Sequence, residues 1–350
     1  MIERADQPPP PARVLIIKPS SLGDVVTAVP VLRGLRRTFP RSRLAWMLSE
    51  RCSPLMRHDS DLDEVVGFDR RRLGRAWRSP GAAAALTRFL WSLRRGRYDW
   101  VIDLQGLARS GIFARATGAP VRAGFADARE GAALFYNHPV RVNESHTVER
   151  NIALARALGI DARGEDMTLQ VPPEGRTFAE EFSRRHGLGP GGFLVCVPPT
   201  RWPTKQYPVR HWRRVVRAMA EELPVVVLGA PGDRELCQAV VEGGPEGLMD
   251  LSGQTDIPRM VALIAASAGV ICSDSAAKFI APAVGVGVVT LLGPTRIERT
   301  GPYPRGKAIL ADIPCQGCLK RRCPHVTCMQ VIDPADVISA ARDMLAAARN

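Results

Sequence analysis

The chain alternates short apolar runs with longer stretches in which apolar positions recur three or four residues apart. The first run, Val14-Leu15-Ile16-Ile17, is too brief for a helix and stops at Lys18-Pro19. A polar turn, Ser20-Ser21-Leu22-Gly23-Asp24, then opens a helix-patterned stretch over residues 25–39. Strands are predicted at 44–48 and 65–68, a helix at 82–93, and a buried parallel strand at 98–104 with Gln105-Gly106 at its functional end. A helix over 109–117, a strand over 121–125 and a helix over 146–158 complete one Rossmann-like domain. Residues 171–192, rich in proline, glycine and charge with a helix at 177–186, read as a linker.

The pattern then restarts. Strands are predicted at 193–197, 224–228, 269–272 and 286–292, with helices at 211–222, 235–241 and 257–268, and a turn at Ser273-Asp274-Ser275 that starts another helix. The closing stretch is amphipathic, with Val337, Ile338, Ala341, Met344 and Leu345 on one face. The expected organisation is α/β: a disordered leader over 1–12, a first Rossmann-like domain over 13–170, the linker 171–192, a second Rossmann-like domain over 193–333, and a terminal helix over 334–350.

Length suits this division, since 350 residues fill two domains of ordinary size. The charge, 48 Lys and Arg against 35 Asp and Glu, fits an acidic partner: nucleic acid, anionic lipid or a phosphorylated sugar. Arginine is spread along the whole chain, so charge alone does not choose among these. Residues 260–272 are too few to span a bilayer, and 279–296 is interrupted by Pro282 and Pro294. Four prolines at 8–11 stand where a signal peptide would need an apolar core, so a disordered leader rather than a signal peptide is expected. Together with the scattered Cys52, Cys196, Cys237 and Cys272, this fits a reducing cytoplasm.

Four further cysteines, Cys315, Cys318, Cys323 and Cys328, have C-x2-C-x4-C-x4-C spacing. That density suits a four-thiolate zinc or iron–sulfur site; a loop of reduced thiols or one local disulfide is the alternative.

Asp24 is the first candidate for chemistry. In open α/β sheets ligands lie beyond the carboxyl ends of strands, where a carboxylate can act as general base. A carboxylate in a first helical turn also complements the helix dipole. The stretch Lys18-Pro19-Ser20-Ser21-Leu22-Gly23-Asp24-Val25 resembles the opening motif of the ADP-heptose lipopolysaccharide heptosyltransferases. Val101-Ile102-Asp103-Leu104-Gln105-Gly106-Leu107-Ala108-Arg109-Ser110, Ala128-Arg129-Glu130 and Leu134-Phe135-Tyr136-Asn137 are similar to heptosyltransferase I in particular.

The resemblance implies a GT-B fold, two Rossmann-like domains facing a cleft, with the acceptor on the first and the nucleotide sugar on the second. It implies inverting transfer of L-glycero-D-manno-heptose from ADP-heptose to Kdo of a lipid A precursor, with Asp24 as base and no metal required. Thr200 and Lys205, in Pro199-Thr200-Arg201-Trp202-Pro203-Thr204-Lys205, match the family's phosphate-binding loop. Asp274, Ser275, Ala276 and Lys278 match or adjoin its donor-binding turn, with Ala276 and Phe279 standing where the family has glycine and histidine. Arg129, more loosely Arg71, Arg72 and Arg75, and Gln105 are the implied acceptor contacts; Asp103 orients them or caps a turn.

The expected setting is cytoplasmic, peripheral at the anionic inner face of the inner membrane, without nucleic acid. A transferase of another nucleotide sugar and a non-catalytic sugar-nucleotide or lipopolysaccharide-precursor binding protein remain alternatives. A metal-bearing nucleic-acid binder is disfavoured, because stacking aromatics do not gather near the cysteines.

Overall fold

The computed structural model describes residues 8–69, 74 and 78–349. The chain divides into two compact units, the first ending at Met167 and the second beginning at Thr168. In the first, strands β1 (Arg13–Ile17), β2 (Arg43–Ser49), β3 (Glu64–Phe68), β4 (Trp100–Asp103), β5 (Val121–Phe125) and β6 (His138–Val140) form one sheet in the order β3-β2-β1-β4-β5-β6. In the second, β7 (Leu194–Val197), β8 (Val225–Val227), β9 (Leu248–Asp250), β10 (Gly269–Ser273), β11 (Val288–Leu292) and β12 (Lys307–Leu310) run β12-β11-β10-β7-β8-β9. Neighbouring strands pair in parallel throughout both sheets. The two sheets share one winding order, reversing between β1 and β4 and between β7 and β10, which is where doubly wound sheets open a crevice for ligands.

The central strands are continuous apolar runs because helices cover both faces of a parallel sheet. Val14, Leu15, Ile16 and Ile17 are wholly buried, as are Leu194, Val195 and Cys196. The strands that the apolar pattern does not announce, β6, β9 and β12, lie at sheet edges and are only partly buried.

The helix predicted over 25–39 is two helices, Leu22–Val26 and Val29–Thr38. Pro30, in the first turn of the second, has no N–H to continue the ladder. At the break between the two helices, the carbonyl of Thr27 accepts from Asn151 Nδ2 at 2.9 Å.

Residues 171–192 do not stand apart as a linker. Their helix, Pro173–Arg185, packs on Ile257–Ala266 within the second unit. Gly175 permits that contact: a Cβ there would lie 2.1 Å from the Pro258 carbonyl oxygen. The terminal helix Pro334–Arg349 is seated on Val209–Ala220 and on β10 and β11, with Met344 against Gly269 and Gly287. Among the described residues, no helix is long and apolar enough to cross a membrane.

Candidate active site

The first group of polar side chains stands at the carboxyl ends of β1 and β4. Asp24 is half-buried, and its Oδ2 accepts from the Ser21 amide at 2.9 Å and from Ser21 Oγ at 2.6 Å. This is a capping box, so one carboxylate oxygen does the capping work. The other, Oδ1, has no hydrogen-bond partner among the described residues.

Lys18, directly after β1, is buried, and its Nζ donates to the Leu104 carbonyl at 2.6 Å. Burial pulls its pKa below the usual lysine value, while the charges of Asp24 and Asp103 pull it back up. Asp103, the last residue of β4, is fully buried. Its Oδ1 accepts from the amides of Gln105 at 2.8 Å and Gly106 at 3.2 Å, and its Oδ2 from Tyr136 Oη at 2.6 Å. Burial pushes the Asp103 carboxyl up, and the bonds from Tyr136, Ser110 and the two amides only partly offset it.

Gly106 has φ +63°, and its carbonyl accepts from the Arg129 amide at 3.0 Å, which holds Arg129 beside this group. The Arg129 guanidinium is exposed and makes no hydrogen bond or ion pair among the described residues, yet its charge is felt at Lys18. Gln105 Oε1 is shielded from solvent and has no hydrogen-bond partner among the described residues. The structure thus gathers Asp24, Asp103, Gln105 and Arg129, and adds Lys18 and Tyr136, which lie in the quoted motifs but were given no role from sequence. A lone lysine capping a wholly apolar strand was the available signal. Arg71, Arg72 and Arg75 lie outside the described residues.

The second group stands at the carboxyl ends of β7 and β10. Asp274 follows β10 and is almost fully buried. Its Oδ2 takes Lys205 Nζ at 2.6 Å and the Thr295 hydroxyl, and its Oδ1 takes Lys278 Nζ. Burial alone would raise the Asp274 pKa, but Lys278 and Lys205 outweigh it and hold the carboxyl below its usual range. Side-chain exposure separates the two lysines: 3% for Lys278 and 15% for Lys205. Burial lowers the Lys278 pKa and Asp274 opposes that. Lys205 Nζ also lies 4.2 Å from the centroid of the Trp202 ring.

Thr200 Oγ donates to the Asp274 carbonyl at 3.2 Å, and Ser275 Oγ accepts from the Ala277 amide at 3.4 Å. Ala276 has φ −65°, an ordinary helical value, so alanine at the family's glycine position carries no backbone strain. Phe279 is buried, with Lys278 Nζ 5.0 Å from its ring centroid. Thr295 stands in Gly293-Pro294-Thr295-Arg296, a stretch that resembles the family's next loop, and is the member of this group that was given no role from sequence.

The cysteine-rich loop adjoins the second group. Cys328 is buried in the apolar core, its Sγ 3.1 Å from where a Cβ on Gly293 would stand, whereas Cys315 and Cys318 are exposed. Among the described residues, no cysteine is joined in a disulfide. Among the described residues, no group of three or more His, Cys, Asp or Glu side chains is placed to hold a metal ion, so the four-thiolate site suggested by the spacing is not assembled. What the loop does is buttress. Gln316 Nε2 donates to the carbonyls of Gly293 and Thr295, each at 3.2 Å, the Leu319 amide to Pro294 at 2.7 Å, and Thr204 Oγ to the Lys320 carbonyl at 2.9 Å.

Comparison with known proteins bears on the family and the fold. Lipopolysaccharide heptosyltransferase 1 of Pseudomonas aeruginosa is 29% identical over 328 residues, covering 89% of this chain and 88% of that protein. The crystal structure of a family 9 glycosyl transferase from Veillonella parvula superposes with a TM-score of 0.82 at 23% identity, over 96% of this chain and 98% of that one. Escherichia coli heptosyltransferase WaaC, solved with ADP, superposes with a TM-score of 0.75 at 24% identity, over 95% and 99% of the two chains. These likenesses establish the two Rossmann-like units as the GT-B glycosyltransferase fold. The family described as glycosyltransferase family 9 (heptosyltransferase) matches residues 86–328, well over half of the sequence. The chain therefore belongs to glycosyltransferase family 9, the heptosyltransferases, and is a glycosyl-transferring enzyme of the family that builds the lipopolysaccharide core.

Proposed function

We propose that this enzyme transfers L-glycero-D-manno-heptose from ADP-heptose to Kdo of a lipid A precursor, with inversion at the anomeric carbon. The observation that carries the reading is Asp24: a half-buried carboxylate at the end of β1, one oxygen fixed by Ser21 and the other unpartnered among the described residues. A base must be held still and still have an oxygen to offer.

In this mechanism Asp24 Oδ1 takes the proton of the acceptor hydroxyl as its oxygen bonds to the anomeric carbon. The carbon–oxygen bond to the diphosphate breaks, and ADP leaves with the electron pair. Arg129, with its unengaged fork, meets an acidic group of the acceptor, as Arg71 and Arg72 are assigned to do from sequence alone. The unpartnered Gln105 Oε1 accepts from an acceptor hydroxyl.

On the donor side, Lys205 and Thr200, with Ser275 and Ala276 of the neighbouring turn, meet the diphosphate. Asp274 and Lys278 hold Lys205 in place and set the local charge. Family 9 transfer is metal-independent in general, and these side chains supply the positive charge. A lipid-borne acceptor places the enzyme in the cytoplasm, at the anionic inner face of the inner membrane.

The test is ADP release from ADP-heptose with de-acylated Kdo-lipid A, comparing wild type with Asp24→Ala. Acceptor-dependent release that falls by about 10²–10⁴-fold in the variant, with ADP affinity retained, is the expected result. ADP-heptose binding without release would convert the reading to a non-catalytic binding protein. Undiminished release by Asp24→Ala would remove Asp24 as the base.

A further inference from the structure

Two helices of the first unit, Pro80–Arg95 and Ala108–Thr117, pack side by side on one face of its sheet, with the turn Ala132–Phe135 beside the second. Their inner sides are accounted for. Leu93, Phe113, Ala114 and Ala132 lie in the core over Leu15, Ile17, Met47 and Val101, and the rings of Phe89 and Phe113 meet at 5.3 Å. Gly111 brings the turn in close, since a Cβ there would lie 2.7 Å from Phe135 Cδ2.

The outer side has another character. Trp91 is 57% exposed, Ile112 45% and Leu134 88%, among the few large apolar side chains so exposed in the described residues. Each helical one sits between arginines on its own face: Arg88, Trp91 and Arg95 at helical spacing on the first helix, and Arg109, Ile112 and Arg115 on the second. All four arginines are exposed, and the Arg95 guanidinium lies 3.5 Å from the centroid of the Trp91 ring. Neither helix contains an acidic residue. Glu130, next to the turn, directs Oε2 to the Ala108 amide at 3.2 Å.

Apolar tips set among cations, without acidic residues between them, match an interface of acyl chains beneath anionic headgroups. We propose that this face seats the enzyme on an anionic phospholipid surface, with Trp91, Ile112 and Leu134 entering the headgroup boundary and Arg88, Arg95, Arg109 and Arg115 meeting lipid phosphates. The proposal rests on the lipid-borne acceptor of the preceding section and names the surface that reaches it. A second copy of the chain is the rival occupant; the unbroken positive charge of the two helices disfavours it, because like faces would repel.

The experiment is co-sedimentation of the full chain with phosphatidylglycerol/phosphatidylethanolamine vesicles and with phosphatidylcholine vesicles, at low and high salt. Wild type is compared with the apolar variant Trp91→Ser/Ile112→Ser/Leu134→Ser and the charge variant Arg88→Gln/Arg95→Gln/Arg109→Gln/Arg115→Gln. All seven side chains are exposed and none belongs to the proposed reaction site, so melting temperature and ADP release with the de-acylated acceptor should match wild type.

The expected result is salt-sensitive binding to anionic vesicles only. Loss of each arginine weakens it by up to about fivefold, and the apolar variant weakens it at least about tenfold. Equal binding by wild type and both variants, or no binding of wild type to anionic vesicles, would overturn the proposal. So would a wild-type dimer in light scattering that the apolar variant dissociates, which would assign the face to a second copy. Failure of wild type to release ADP with the soluble acceptor would count against the transferase reading, while vesicle binding still judges the surface.

Discussion

Asp103 and Asp274 hold matching places in the two units. Each stands at the carboxyl end of the strand that neighbours its unit's first strand, β4 beside β1 and β10 beside β7, and each is buried. Their surroundings are opposite. Asp103 is bonded by neutral donors, a tyrosine hydroxyl and two backbone amides, and burial drives its pKa up. Asp274 is bonded by two lysines and a threonine, and its pKa is driven down. The same fold position therefore serves two electrostatic purposes. In the first unit the aspartate shapes the loop that follows β4. In the second it is outnumbered, so that Lys205, Lys278 and Asp274 together leave one positive charge, at the place we propose for the diphosphate.

Removing each aspartate tests this contrast most severely. Asp274→Ala strands Lys278 in the interior without its partner and should cost about 3–5 kcal/mol of stability. Asp103→Ala leaves the Tyr136 hydroxyl and the Gln105 and Gly106 amides unpaired but no ion stranded on it by a direct bond, and should cost about 1–3 kcal/mol. Urea unfolding of the two variants measures both; an equal loss would dissolve the distinction.

The charge count makes a sharper demand. Lys278→Met reduces the local charge from one to zero and should weaken ADP binding about tenfold, leaving adenosine binding unchanged. Adding Asp274→Asn restores the count and should recover part of the ADP affinity. Calorimetric titration reads both, and a Lys278→Met variant that loses adenosine and ADP equally would reduce Lys278 to a packing role.

The two carboxyls also tilt the pH dependence of stability in opposite directions around the ordinary aspartate value of 3.8. Asp274, lowered in the folded state, contributes stability that is complete above that value and is lost as pH falls through its folded pKa. Asp103, raised in the folded state, binds a proton the unfolded chain has released, so its contribution declines as pH rises from 3.8 through its folded pKa. Asp103→Asn should flatten the slope above 3.8 and Asp274→Asn the slope below it, as read from unfolding free energies across pH. The smallest effect belongs to Ala276. At φ −65° a glycine gains nothing, and Ala276→Gly should change stability by no more than about 1 kcal/mol and leave ADP affinity intact.

Two expectations turn on contacts that composition and spacing do not record. The segment 171–192 has the composition of a linker, yet Gly175 lets its helix lie against Pro258, a contact that composition does not reveal. The cysteine spacing suits a metal, yet Cys328 is drawn into the apolar core beneath Gly293 while Cys315 and Cys318 stay outside. Single-helix continuity over 25–39 failed at Pro30, whose missing N–H was readable in advance.

By itself the sequence determined the alternation of strands and helices and the restart that makes two Rossmann-like units, and it put Asp24 and Asp274 in polar turns that follow strands. These are local properties: an apolar run long enough for a buried parallel strand, or a polar turn at its end, is written in consecutive residues. Only the tertiary structure decided that Lys278 turns inward to share Asp274 with Lys205, that Thr295 joins them from the end of another strand, and that Lys18 lies buried near Asp24 and Asp103. Lys205, Asp274 and Thr295 follow three different strands, as Lys18 and Asp103 stand at the ends of two. Only Lys278 is local to its partner, four residues on. Which charge neutralises which therefore depends on distances that consecutive residues record only in part.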